Sequence, residues 1–178
     1  MTATIAPALE VQLRIDPVDG SFVPEVDGED DELTNTQWIR TIQTSNQEAY
    51  DKIVEMVNEE GYPLDDIRDF IDNYGLNPFM SGLYHVWEEL ENSFSREAIV
   101  AFIDEFSIDD LERFEDAYYG CFDSAEDFAE QFYTDIHGRA LSDALDAGLC
   151  VDWERTYHNG LSYDYVVTDG GYVFNNHW

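Results

Sequence analysis

The sequence predicts an α+β fold: an elongated array of three small subdomains, with acidic amphipathic helices as its body and short β-hairpins or sheets at the N- and C-terminal ends. Three observations predict it. Apolar residues recur at helical spacing through most of residues 45–136, alternating stretches joined by turn chemistry stand near each end, and acidic residues run evenly along the whole chain. The subdomains are placed at 1–62 (hairpin plus helix), 63–106 (central, helical) and 107–178 (C-terminal, α+β).

The elements follow in chain order. Val11 to Ile15 alternates, Asp16-Pro17-Val18-Asp19-Gly20 is turn chemistry, and Ser21 to Val26 returns, which reads as a β-hairpin. Asp27-Gly28 and the run Glu29 to Glu32 form a solvated loop. Ser45, with Glu48 three residues on, reads as a capping box opening a helix whose face is Ala49, Tyr50, Ile53, Val54 and Val57. Glu48, Asp51, Glu55 and Glu59 take its opposite face. Pro63 is placed at a first helical position, with Leu64, Ile67, Phe70, Ile71 and Tyr74 inward, Asp65, Asp66, Asp69 and Asp72 outward, and Gly75 as cap.

The same design recurs downstream. Leu83, Tyr84, Val86, Trp87 and Leu90 sit with Glu88, Glu89 and Glu91. Ser95 caps a helix carrying Ala98, Ile99, Phe102, Ile103 and Phe106, with Asp104 and Glu105 outward. Leu111, Phe114, Ala117 and Tyr118 alternate with Asp109, Asp110, Glu112, Glu115 and Asp116 until Gly120 stops the helix. After Asp123, Ser124 caps another, with Phe128, Ala129, Phe132 and Ile136 inside and Glu126, Asp127, Glu130 and Asp135 outside. Asp152 to Tyr157 is a short helix, and Leu161 to Val167 and Gly171 to Phe174 flank Thr168-Asp169-Gly170 as a closing hairpin.

Charge sets the first bounds on function. The chain of 178 residues carries 40 Asp plus Glu against 8 Lys plus Arg, a formal net charge of −32, and Lys52 is its single lysine. The net values over 1–44, 45–75, 76–119 and 120–178 are −7, −7, −9 and −9. Nucleic acid and anionic membranes are excluded as direct partners, because both need a basic footprint. Disorder is excluded too, since 44% hydrophobic and 15% aromatic residues supply the apolar material of a core. No apolar run reaches membrane-span length and Met1 to Leu9 lacks the marks of a signal peptide, so a cytoplasmic protein is expected. Cys121 and Cys150 read as reduced core thiols.

Surface helices ordinarily mix Glu and Lys at i and i+4, each pair worth roughly 0.2–0.5 kcal/mol, and like charges at that spacing cost a similar amount. Helix after helix here accepts that cost. The outward carboxylates therefore serve something other than folding.

Nothing in the sequence marks an enzyme. With 40 acids, paired carboxylates carry no information. His85 with Glu88 and Glu89 has metal-helix spacing, but no second Glu-x-x-His motif accompanies it, so it reads as a partly buried helix histidine. His137 sits at a helix end, and His158 and His177 stand in a loop and the tail. EF-hand, P-loop, dinucleotide and nucleophile motifs are lacking. No catalytic residue, metal site or cofactor is expected.

Double-stranded DNA carries one negative charge per roughly 1.7 Å of axis, so this net charge matches about 54 Å, or roughly 16 base pairs, of duplex. A compact globule of this length has a radius of gyration of about 16 Å. Duplex-like density therefore requires an elongated molecule or one that pairs end to end. Carboxylates set at phosphate-like positions would occupy the basic groove of a DNA-binding enzyme by the electrostatics that draw DNA there.

The segment Tyr118-Tyr-Gly-Cys-Phe-Asp-Ser-Ala-Glu-Asp-Phe-Ala-Glu-Gln131, then Val151-Asp-Trp-Glu154, Tyr163-Asp-Tyr-Val166 and Gly171-Tyr-Val-Phe174, resembles the C-terminal half of the ArdA antirestriction proteins. That family typically shows "YxGxFDSxEDFA", a "DWE" and a closing "Y…dGhvF". The resemblance covers residues 107–178; upstream, Trp38-Ile39 and Asp65 to Tyr74 have weaker counterparts, and the first third departs from the pattern. It implies an elongated three-subdomain protein, dimeric through its C-terminal region, that mimics DNA bound by type I restriction–modification enzymes and protects incoming plasmid or phage DNA. Carried onto this chain, it makes Tyr119, Phe122, Phe128 and Trp153 core, and Asp123, Glu126, Asp127 and Glu130 contacts to the enzyme. The outward acids Asp65 to Asp116 named above complete the expected partner surface. An acidic inhibitor or chaperone of another basic protein and a salt-adapted protein of unrelated function stand as alternatives.

Overall fold

The computed structural model describes residues 33–178. Helices make up 69% of them, and their one sheet has three short antiparallel strands, so the fold is mainly helical α+β. The expected hairpin over 11–26 and the run Glu29 to Glu32 lie outside the described residues. No helix among the described residues is long and apolar enough to cross a membrane. Two compact units divide between Tyr84 and His85.

The first unit opens with α1 (Asn35–Ser45), capped by Thr34, whose hydroxyl accepts from the Gln37 N–H while the Gln37 side chain accepts from the Thr34 N–H at 2.9 Å. The capping box expected at Ser45 and Glu48 is corrected here. Ser45 ends α1, donating its hydroxyl to the Thr41 carbonyl at 2.8 Å. Asn46 starts α2 (Gln47–Glu55), its side chain accepting from the Ala49 N–H at 3.0 Å, and its own N–H still donates to Ile42 at 2.7 Å. One residue thus closes one helix and opens the next, which asparagine does well because its short side chain reaches the backbone. A π-turn over Met56–Glu60 ends at Gly61. Pro63 caps α3 (Leu64–Tyr74) from one position before the helix, one residue earlier than expected.

Of the predicted inward face of α3, Leu64, Ile67, Phe70 and Ile71 are buried, and Tyr74, in the last turn, is half-buried against Phe70. Tyr84 is 1% exposed and meets the rings of Tyr62, Phe70 and Phe79 at centroid distances of 5.4, 5.4 and 6.3 Å. Lys52 lies over the Phe79 ring and donates its ammonium to the Phe79 and Met80 carbonyls at 2.9 and 3.2 Å, at the C-terminal end of α4 (Leu76–Ser81). Among the described residues the single lysine pairs with no carboxylate; its ammonium meets carbonyls at a negative helix end, where the Phe79 carbonyl also accepts the Gly82 N–H at 3.1 Å. Lys52→Met should cost about 1–3 kcal/mol in urea denaturation, although it removes the only ammonium side chain from a surface of carboxylates.

α5 (Leu83–Glu91) begins at the division between the units. The second unit continues with α6 (Arg96–Glu105), where the Ser95 hydroxyl accepts from the Ala98 N–H as expected. The single helix expected up to Gly120 is corrected: a 3-10 turn (Ile108–Arg113) leads to a short α7 (Phe114–Ala117), and the chain then extends as β1 (Tyr118–Cys121). α8 (Ala125–His137) starts at Ser124, α9 (Arg139–Asp146) buries none of its residues, and α10 (Trp153–Thr156) runs into a π-turn over Tyr157–Leu161. The closing hairpin is present but shorter than expected, with β2 (Tyr165–Val167) and β3 (Tyr172–Asn175).

The strand order is β1-β3-β2, so the last strand is the central one. Tyr118 pairs with Phe174 and Val167 with Val173. Successive residues of a strand face opposite sides. Phe174 therefore meets Phe102, Phe114 and Tyr118, while Val173 joins Phe128, Ala129, Tyr157 and Leu161. The adjacent tyrosines divide in the same way: Tyr118 packs on Phe94 and Phe114, Tyr119 on Phe128 and Phe132. Both faces of this small sheet are covered by aromatic rings.

Three further expectations are corrected. Ile136 is 59% exposed, because the apolar stripe of α8 leaves the sheet before its last turn. Tyr119 is 40% exposed despite its four ring contacts, since it lies on an edge strand. Cys121 and Cys150 are both exposed and free, so neither is a core thiol.

Candidate partner interface

Acids reach the surface here because the helices that carry them turn an aromatic face to the core. None of the described charged residues is buried. Of the eighteen acids expected to meet a partner, Asp65, Asp66, Asp69, Asp72, Glu89, Asp104, Glu105, Asp109, Asp110, Glu112, Glu115, Asp116, Asp123, Asp127 and Glu130 are exposed, and Glu88, Glu91 and Glu126 are half-buried. They fall on both units.

Four of them also hold the fold together, a role that outward position alone did not reveal. Asp72 accepts from the Trp38 indole at 2.9 Å and from Arg68 at 3.2 Å. Asp65 accepts from the Asn35 amide, Asp127 accepts from the Ser124 hydroxyl at 2.9 Å, and Glu91 lies 3.5 Å from the Arg96 guanidinium. Their signal in the sequence is the polar residue each one meets within a cap or across a helix pair. The other fourteen have no such duty.

The placement along each helix is more telling than the exposure. A helix C-terminus carries partial negative charge and favours cations. Yet Asp72 stands in the last turn of α3, Glu88, Glu89 and Glu91 in that of α5, Asp104 and Glu105 in that of α6, and Asp143 and Asp146 in that of α9, with no basic residue in any of these turns. Asp72, Glu91 and Asp143 are paired with Arg68, Arg96 and Arg139, but Glu88, Glu89, Asp104, Glu105 and Asp146 have no such partner among the described residues, and each of these five costs about 0.3–1 kcal/mol of helix stability. Selection for folding alone would remove them.

Cations do little to offset this. Arg68 and Arg139 pair with the acid four residues on, at 3.2 and 3.6 Å, and Arg96 is shared between Glu91 and the Trp87 ring. Exposed pairs of this kind are worth about 0–1 kcal/mol. Among the described residues no group of three or more His, Cys, Asp or Glu could hold a metal ion. His137 ends α8 as expected, its ring stacked on Tyr133 with centroids 5.9 Å apart. Burial pushes the Tyr118 and Tyr157 phenols above their ordinary range.

The geometry defines a class: a mainly helical α+β protein whose described carboxylates lie at the surface, several against their own helix dipoles. No protein-family model, no curated protein and no solved structure matches the chain.

Proposed function

We infer that this protein is an antirestriction protein that acts as a DNA mimic, its acidic surface occupying the DNA-binding groove of a type I restriction–modification enzyme. The observation that supports it best is the set of carboxylates Glu88, Glu89, Asp104, Glu105 and Asp146, unpaired among the described residues and kept in the last turns of α5, α6 and α9, where they oppose folding. A surface that retains charge at the expense of stability has a use for that charge, and the basic groove of a DNA-binding enzyme is the complementary partner. The resemblance of residues 107–178 to the ArdA proteins names the particular enzyme class. The three-subdomain arrangement, the homodimer and the cytoplasmic location belong to this reading, and no cofactor is required.

The test is competition. Purified protein at micromolar concentration should displace duplex DNA from a type I methyltransferase core, and the displacement should weaken as salt rises from about 0.05 to 0.2 M, because counterion release drives it. Inhibition should fall in steps as blocks of outward acids become Asn or Gln. Unchanged DNA occupancy at any concentration, or collapse at one position, sinks the reading.

A further inference from the structure

We propose that the second unit carries a docking groove for a basic, partly apolar segment of a protein partner. The groove, about 670 Å³, lies between α6 and the β2–β3 hairpin. Its floor is apolar: Val100 and Ala101 from α6, Val167 and Tyr172 from the hairpin, all half-buried. Its rim carries Glu97, Asp104, Glu105 and Asp169, all exposed and with no ion pair or hydrogen bond among the described residues. The one cation of the lining, Arg96, is already engaged by Glu91 at 3.5 Å and the Trp87 ring at 5.5 Å.

The occupant follows from this pairing of an apolar floor with an anionic rim. A bare metal ion is a poor fit, since these carboxylates do not converge on a common point at ligand distance. An arginine or lysine side chain fits both parts: its aliphatic stem lies on the floor while its head reaches a rim carboxylate. Several such residues, spaced by apolar ones, would use the length of the groove. Neither Glu97 nor Asp169 is among the acids expected from the sequence to meet a partner. Asp169 in particular sits in a hairpin turn, where its sequence context reads only as turn chemistry.

The groove shares Asp104 and Glu105 with the surface proposed to meet a restriction enzyme, but its test reads peptide recognition by the isolated protein. The probe is a fluorescein-labelled octapeptide alternating arginine and leucine, titrated with the full chain at about 0.1 M salt and followed by anisotropy. Two variants address the groove. Asp104→Asn/Glu105→Gln/Asp169→Asn removes three rim charges, and Ala101→Trp fills the floor. A third, Glu112→Gln/Glu115→Gln/Asp116→Asn, removes the same number of charges elsewhere on the unit. Either groove variant should weaken binding about tenfold or more, and the third less than twofold. The citrulline counterpart of the peptide should not bind. Equal losses from the two triple variants would mean diffuse polyanion attraction and would overturn the proposal, as would unchanged affinity in Ala101→Trp or binding of the citrulline peptide. Two of the three rim substitutions relieve a helix dipole, so a loss of binding in that variant is not a loss of folding; circular dichroism checks this.

Discussion

Gly171→Ala should destabilise the second unit by more than about 3 kcal/mol, lowering the midpoint of thermal unfolding by on the order of 10 °C and erasing its aromatic circular dichroism. Gly171 has φ +78°, a left-handed conformation that costs an ordinary residue about 1–2 kcal/mol. A Cβ there would also fall on the Phe122 carbonyl oxygen, a backbone atom that cannot step aside. The same locality holds β1 to the hairpin, because the Phe122 N–H donates to the Gly171 carbonyl at 2.9 Å. Gly170→Ala is the control. There a Cβ meets only the Tyr172 ring, at 3.0 Å, and a rotating side chain relieves that for about 1 kcal/mol. Comparable losses in the two variants would show that the approach of Gly171 to Phe122 does not govern this corner.

The second expectation has opposite signs for stability and binding. Glu89→Gln with Asp104→Asn and Glu105→Gln removes three carboxylates from the C-terminal turns of α5 and α6. Each removal relieves about 0.3–1 kcal/mol of dipole repulsion, so the triple variant should be more stable by roughly 1–3 kcal/mol at low salt, the gain shrinking as salt screens it. The same variant should inhibit a type I enzyme less well. Stability raised and inhibition retained would show that these acids are not in the interface; stability lowered would show that they have structural partners.

The helix faces were legible because a period of 3.6 residues places Ile67, Phe70 and Ile71, or Ala98, Ile99 and Phe102, on one buried side whatever lies opposite. The acids were legible for the same reason, as the complement of that pattern. α1 was missed although Thr34 and Gln37 spell a capping box: its core is only Trp38, Ile39 and Ile42, amid polar residues that weaken the periodicity. β1 was missed because Tyr118 to Cys121 is too short to alternate and follows a helical stretch directly; its strand character comes from pairing with β3, far along the chain. The exposed Cys121 thiol follows from this as well. Cys121 stands at the end of that edge strand, a position that does not exist until the pairing does. The rim of the groove was half legible: Asp104 and Glu105 read as outward, but no local signal brings Asp169 to them.

Because β3 is the middle strand and the last in sequence, the second unit has no centre until residues 172–175 have been made. On the ribosome, α6, α7 and α8 emerge as acidic amphipathic helices whose aromatic faces lack the central strand they close upon. The unit can close only once residues 172–175 are free to pair Phe174 with Tyr118, which gives both layers of rings their centre. Mutual repulsion between nascent chains, supplied by the same carboxylates, keeps those open aromatic faces from finding one another first.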